Sequence, residues 1–148
     1  MFVPMCSVCQ GGETVFRRRH DEILFWWLAD DPILRPEARS VLNSATTILV
    51  SVATMIDIWY LAHKRQSPMT VEQAEGVCDL LASGLVDRAL VVPITTSTLT
   101  GAWSRIDRER LRDPWDRLIL ATAADRSVPL VTRDRAMIAI GLAEVMEA

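Results

Sequence analysis

Four carboxylates stand where the chain could assemble acid chemistry. Asp57 lies in an otherwise apolar stretch, Val52–Leu61. Asp116 sits near the start of DPWDRLILATA, and Asp134 ends the turn Val131-Thr132-Arg133-Asp134. Asp21, with Glu22 beside it, precedes the apolar segment ILFWWL. Carboxylates gathered in one cleft repel one another and raise some of their pKa values. A divalent cation relieves that repulsion, and oxygen donors suit Mg2+ or Mn2+. Such an ion can lower the pKa of a bound water and neutralise charge on a phosphodiester during in-line displacement. Cysteine and histidine are not so placed. Cys6-x-x-Cys9 is a lone pair, and zinc would need two more ligands from His20, His63 and Cys78.

Structural roles are open to the same acids. Asp113 before Pro114 reads as a helix N-cap with proline at the first position. Asp116 in the following turn suits the positive end of a helix dipole, and Asp134 could cap the next helix. Ser51 and Thr54 read equally as local caps. Arg117, Arg133 and Arg135 adjoin the acids and could either pair with them or hold phosphates. Trp26, Trp27, Trp59 and Trp115 read as core or contact residues, whereas Trp103 lies in a more polar segment.

The elements that must position these groups alternate. Helices are expected over the apolar segment Ile23–Leu28, ended by Asp30-Asp31-Pro32, over Pro36–Ala45, Val52–Lys64 and Val71–Ser83, over Thr98–Arg110, from Asp113 to about Arg126, and over Arg135–Ile140. Gly84 is a stop signal for the fourth of them. Ile48–Val50, Ala89–Val92 and Pro129–Val131 are short and apolar on both faces, as buried parallel strands are. Strands alternating with helices predict an α/β fold around a parallel sheet, with ligands bound beyond the carboxyl ends of the strands. Residues 1–19 differ: two cysteines, Gly11-Gly12, the run Arg17–Arg19 and no periodicity predict an irregular segment, with a short strand only around Thr14–Phe16.

Composition narrows the class. The 148 residues suit one domain, and 50% hydrophobic with 24% charged residues is globular rather than disordered. A net charge of -3 excludes a strongly basic nucleic-acid coat. No apolar run reaches the ~18–20 residues of a membrane span. An odd cysteine count without an export signal predicts a cytoplasmic protein.

The succession LFWWLADDP, LVSVATMIDIWYLAHK, DPWDRLILATA and PLVTRD resembles a PIN domain, and most closely the VapC-type toxins of bacterial toxin–antitoxin pairs. The resemblance covers residues 20–145, with DPWDRLILATA followed by PLVTRD its most specific part. It implies a three-layer α/β/α sandwich with a short central parallel sheet. It also implies an Mg2+- or Mn2+-dependent endoribonuclease, a homodimer and a cognate antitoxin partner. The family's acidic quartet falls on Asp57, Asp116 and Asp134, with Thr132 beside the last. His20 stands where the family has its first Asp, and Asp21 is the nearest replacement. The division expected is therefore a divergent segment 1–19 and a PIN domain over 20–148. The alternative is a PIN-fold protein that has lost cleavage and keeps partner binding. A phosphatase is disfavoured because no D-x-D motif follows the first strand, and Gly11-Gly12 lacks the Gly-Lys-Ser/Thr of a phosphate loop.

Overall fold

The short apolar runs become a parallel sheet with helices on both faces. In the computed structural model, which describes residues 5–6, 23–65, 67 and 69–148, the strands are β1 (Met5–Cys6), β2 (Ile48–Ser51), β3 (Ala89–Val92), β4 (Leu130–Thr132) and β5 (Val145–Glu147). Their order is β3-β2-β1-β4-β5, and every neighbouring pair is parallel. The helices are α1 (Ile23–Leu28), α2 (Pro36–Ser44), α3 (Val52–Ala62), α4 (Val71–Ala82), α5 (Pro114–Arg126) and α6 (Arg135–Ile140).

Pleating divides the apolar residues of β4 and β5 between two cores. Ile48 and Val50 of β2 and Val131 of β4 join Ile23, Leu24, Leu42, Ile58 and Leu81 on one face. Leu130 of β4 joins Leu111, Ile119, Leu120 and Met137 on the other. Helices α1, α2 and α4 thus cover one face, α5 and α6 the other, and α3 contributes to both. This is the expected three-layer sandwich. Among the described residues, no helix is long and apolar enough to cross a membrane.

Local signals set most boundaries. The Thr70 side chain accepts from the Gln73 amide while the Gln73 side chain accepts from the Thr70 amide, a capping box that starts α4. Gly84, at φ +69°, terminates that helix in the left-handed region, as expected. Asp113 caps α5 through bonds from the amides of Trp115 (2.8 Å) and Asp116 (3.3 Å), and Pro114 opens the helix.

One expectation is corrected, and two strands go beyond the sequence reading. The helix over Thr98–Arg110 is instead a π-helical turn, Thr98–Ala102, followed by a 3-10 turn, Trp103–Arg105. Gly101 weakens helix there, and Thr100 and Ser104 hydroxyls bond back to the carbonyls of Thr96 and Thr100, competing with a regular ladder. The sheet's central strand is Met5–Cys6, upstream of the strand expected at Thr14–Phe16, a segment that lies outside the described residues. Met5 pairs in register with Leu49 and Leu130, and Cys6 with Val50 and Val131. Finally, β5 is an edge strand whose Val145 and Met146 are partly buried and whose Glu147 is exposed, and at three residues it is too short to show in the sequence.

Two substitutions separate capping from packing. Asp113→Ala is expected to cost about 1 kcal/mol of stability, with Asp113→Ser close to the parent. Leu120→Ala, at a fully buried position, is expected to cost about 2–5 kcal/mol. Urea unfolding followed by circular dichroism measures both, and equal losses would contradict the distinction.

Candidate active site

Parallel strands joined by helices place the strand carboxyl ends and the following helix starts on one edge. The first group there comes from the β2–α3 junction. Ser51 ends β2, is fully buried, and accepts from the Ala53 amide at 3.2 Å, which starts α3 without a loop. That direct turn brings Asp57 onto the second turn of α3, where it is 1% exposed beside the fully buried Thr54. A carboxylate buried on so apolar a helix carries a large desolvation cost and needs compensating contacts.

The second group comes from α5, which runs antiparallel to β4 and so begins on the same edge. Asp113 and Pro114 fix the first turn, and Asp116 within it is also 1% exposed. Helices α3 and α5 pack on each other, so the two buried carboxylates stand on adjacent elements.

The third group follows β4. Thr132 is fully buried and its Oγ1 accepts from the Asp134 amide at 3.1 Å. Asp134 Oδ1 accepts from the amides of Ala136 (2.6 Å) and Met137 (3.1 Å), so Asp134 is the N-cap of α6. Its structural role is real, and it leaves the carboxylate partly exposed.

The structure thus brings Asp57 and Asp116 onto packed neighbouring helices and puts Asp134 at the end of the central sheet's β4. Asp21 lies outside the described residues. Among the described residues, no group of three or more acidic, histidine or cysteine side chains converges closely enough to share an ion. As donors, the two buried carboxylates fit a hard divalent cation better than a soft one.

The arginines beside the acids rest on indoles. The Arg117 guanidinium lies 3.9 Å from the Trp103 ring centroid, and its Nη2 donates to the Ile106 carbonyl at 3.4 Å. Arg133 lies 5.2 Å from the ring of the buried Trp26. Among the described residues neither forms an ion pair. Trp103 is therefore covered on one face, Trp115 lies 6.2 Å from Tyr60, and Trp59 lies 5.3 Å from His63. His63 Nδ1 is bonded to the Trp59 carbonyl at 2.8 Å. Cys78 is a buried free thiol on α4, pushed above its ordinary pKa by burial and then by the neighbouring Asp79, which keeps it protonated and poorly reactive.

Sequence reasoning passed over one feature of this edge. The segment leading into α5 carries Arg105, Arg108, Arg110 and Arg112, all exposed. The signal was present as four arginines in eight residues, diluted by Asp107 and Glu109 and by the acidic net charge.

Comparison with known proteins gives a consistent answer. A chain of the crystal structure of VapBC2 from Rickettsia felis bound to a DNA fragment from their promoter superposes with TM-score 0.64 and 14% identity, covering 99% of this chain and 98% of that one. A chain of DNA-bound VapBC from Salmonella typhimurium gives 0.63 and 19% identity over 99% and 98%. A toxin–antitoxin complex from Klebsiella pneumoniae gives 0.51 and 20% identity over 81% and 90%. No curated protein matches the chain. The family model for the PIN domain matches residues 22–142. With the order of strands, the two cores and the acids at the strand-end edge already in place, that match over most of the chain makes this protein a member of the PIN domain family.

Proposed function

We propose that this chain is a divalent-metal-dependent endoribonuclease, the toxin of a toxin–antitoxin pair. The observation that carries the reading is the burial of two carboxylates, Asp57 and Asp116, on packed helices at the strand-end edge of a PIN domain. Apolar side chains would fill those positions at lower cost if stability alone were selected.

Asp57, Asp116 and Asp134, with Asp21, would hold the Mg2+ or Mn2+ ion. The bound ion supplies positive charge and Lewis acidity at a phosphodiester. The protein's own residues do the positioning. Asp113 and Pro114 set the turn that carries Asp116, and Thr132 orients Asp134 through its backbone amide. Single-stranded RNA is the substrate class that suits a narrow acidic edge, because an unpaired backbone can enter it. The matched structures are VapBC and toxin–antitoxin complexes, which supports an antitoxin partner; an apolar partner helix docking in a groove is the expected mode. The exposed Leu28 of α1 and Tyr60 of α3 suit a contact with a second copy in a homodimer.

A second reading has its own support. Asp134 is engaged as the α6 cap, and the sequence resemblance puts His20, outside the described residues, at the position of the family's first Asp. Those features favour a PIN-fold protein that binds a partner without cleaving.

Incubation of a panel of structured RNAs with Mn2+ tests the reading. The parent chain is expected to cleave, EDTA to abolish cleavage, and Asp116→Asn to lower the rate by about 100-fold or more. A folded parent without cleavage favours the second reading. Asp134→Asn tests that residue separately. Asn caps a helix about as well as Asp, so thermal stability should hold while cleavage falls by more than about tenfold; unchanged cleavage would leave Asp134 a cap alone.

A further inference from the structure

The arginine-bearing segment ahead of α5 has a use that the acids do not explain. Arg105, Arg108, Arg110 and Arg112 fall within eight residues and are exposed, against two carboxylates, Asp107 and Glu109, in a chain of net charge -3. Little of their charge is neutralised locally. Arg108 and Arg112 lean on the same Glu109 at 3.4 and 4.0 Å, with side chains 80% and 84% exposed. Asp107 turns its Oδ1 to the Glu109 amide at 2.8 Å.

The backbone beneath these charges is pinned. Ile106 and Leu111 are buried in the core under α5. The amides of Arg110 and Leu111 bond to the Asp107 carbonyl, Arg110 Nη2 donates to the Ala139 carbonyl of α6 at 2.8 Å, and Arg117 reaches the Ile106 carbonyl. Arg108 and Arg112 therefore project from a fixed turn. That turn runs directly into Asp113 and the first turn of α5, where Asp116 lies. A chain lying across the acids would continue onto it.

We propose that Arg105–Arg112 is the track for the sugar–phosphate backbone of single-stranded RNA entering the acidic edge, with Arg108 and Arg112 as phosphate contacts. This rests on the nuclease reading above. An anionic strand is favoured over an acidic protein partner because the segment is contiguous with the first turn of α5. Recognition is by charge: Trp103, the aromatic next to the segment, has a face covered by Arg117. Binding should accordingly be strongly salt-dependent and weakly selective for sequence.

The test uses the full chain carrying Asp116→Asn, so that bound RNA survives, and a fluorescein-labelled single-stranded RNA of mixed sequence read by anisotropy over a NaCl series. Arg108→Gln with Arg112→Gln should flatten the slope of log K against log salt by about 1.4, or about 0.7 for each lost contact. Arg126→Gln, at an arginine also exposed at the far end of α5, should leave the slope unchanged. Circular dichroism confirms that each variant is folded. A double variant with the slope of Arg126→Gln overturns the proposal, as does absence of RNA binding. So does a double variant that loses a polyglutamate peptide and keeps its RNA slope, which would assign the segment to an acidic partner. The two readings fail separately. A flattened slope without cleavage by the Asp116 parent upholds the track and removes the nuclease; cleavage with an unchanged slope does the reverse.

Discussion

An all-parallel sheet cannot close its strands by hairpins. Each connection must cross back over a face, so strand ends and helix starts gather on one edge. That constraint governs this protein. It puts the β2–α3 turn, the start of α5 and the β4–α6 turn on the same side, although they are far apart in sequence. Each of the three junctions is then built tightly by a side-chain cap, Ser51, Asp113 or Asp134, which leaves little freedom in where the neighbouring carboxylates point. The fold supplies proximity first, and the chemistry is laid onto it.

The charges on that edge are sorted by type. Asp57 and Asp116 are buried. The nearby cations Arg117 and Arg133 rest on the indoles of Trp103 and Trp26 and form no ion pairs among the described residues. Indole faces accept guanidinium without neutralising it. Positive charge is thereby held near the acids, while further arginines stand outside in solvent on the turn before α5. On the nuclease reading, the division is one between groups that hold the ion and groups that hold the anionic chain.

Much of this could be read from the residues. Pro36, Ser51, Gly84, Asp113 and Pro114 carry local signals strong enough to set helix ends, and α6 begins and ends where the pattern places it. Asp116 and Asp134 stood out because caps and short strands surround them. Three features resisted. The central strand is two residues long, and its stability comes from two parallel neighbours rather than from its own composition. The turns over Thr98–Arg105 depend on hydroxyl-to-carbonyl bonds that periodicity does not register. The indole partners of Arg117 and Arg133 belong to remote segments, and sequence adjacency to the acids pointed elsewhere.

On the nuclease reading, Asp57 and Asp116 together hold a divalent cation at this edge. Electron paramagnetic resonance of Mn2+ added to the full chain reads that directly, since protein-bound Mn2+ loses the sharp sextet of the aqueous ion. Saturable depletion of the sextet by the parent is expected, weakened more than about tenfold by Asp57→Asn and by Asp116→Asn alike. Parent and variants that titrate identically would contradict it.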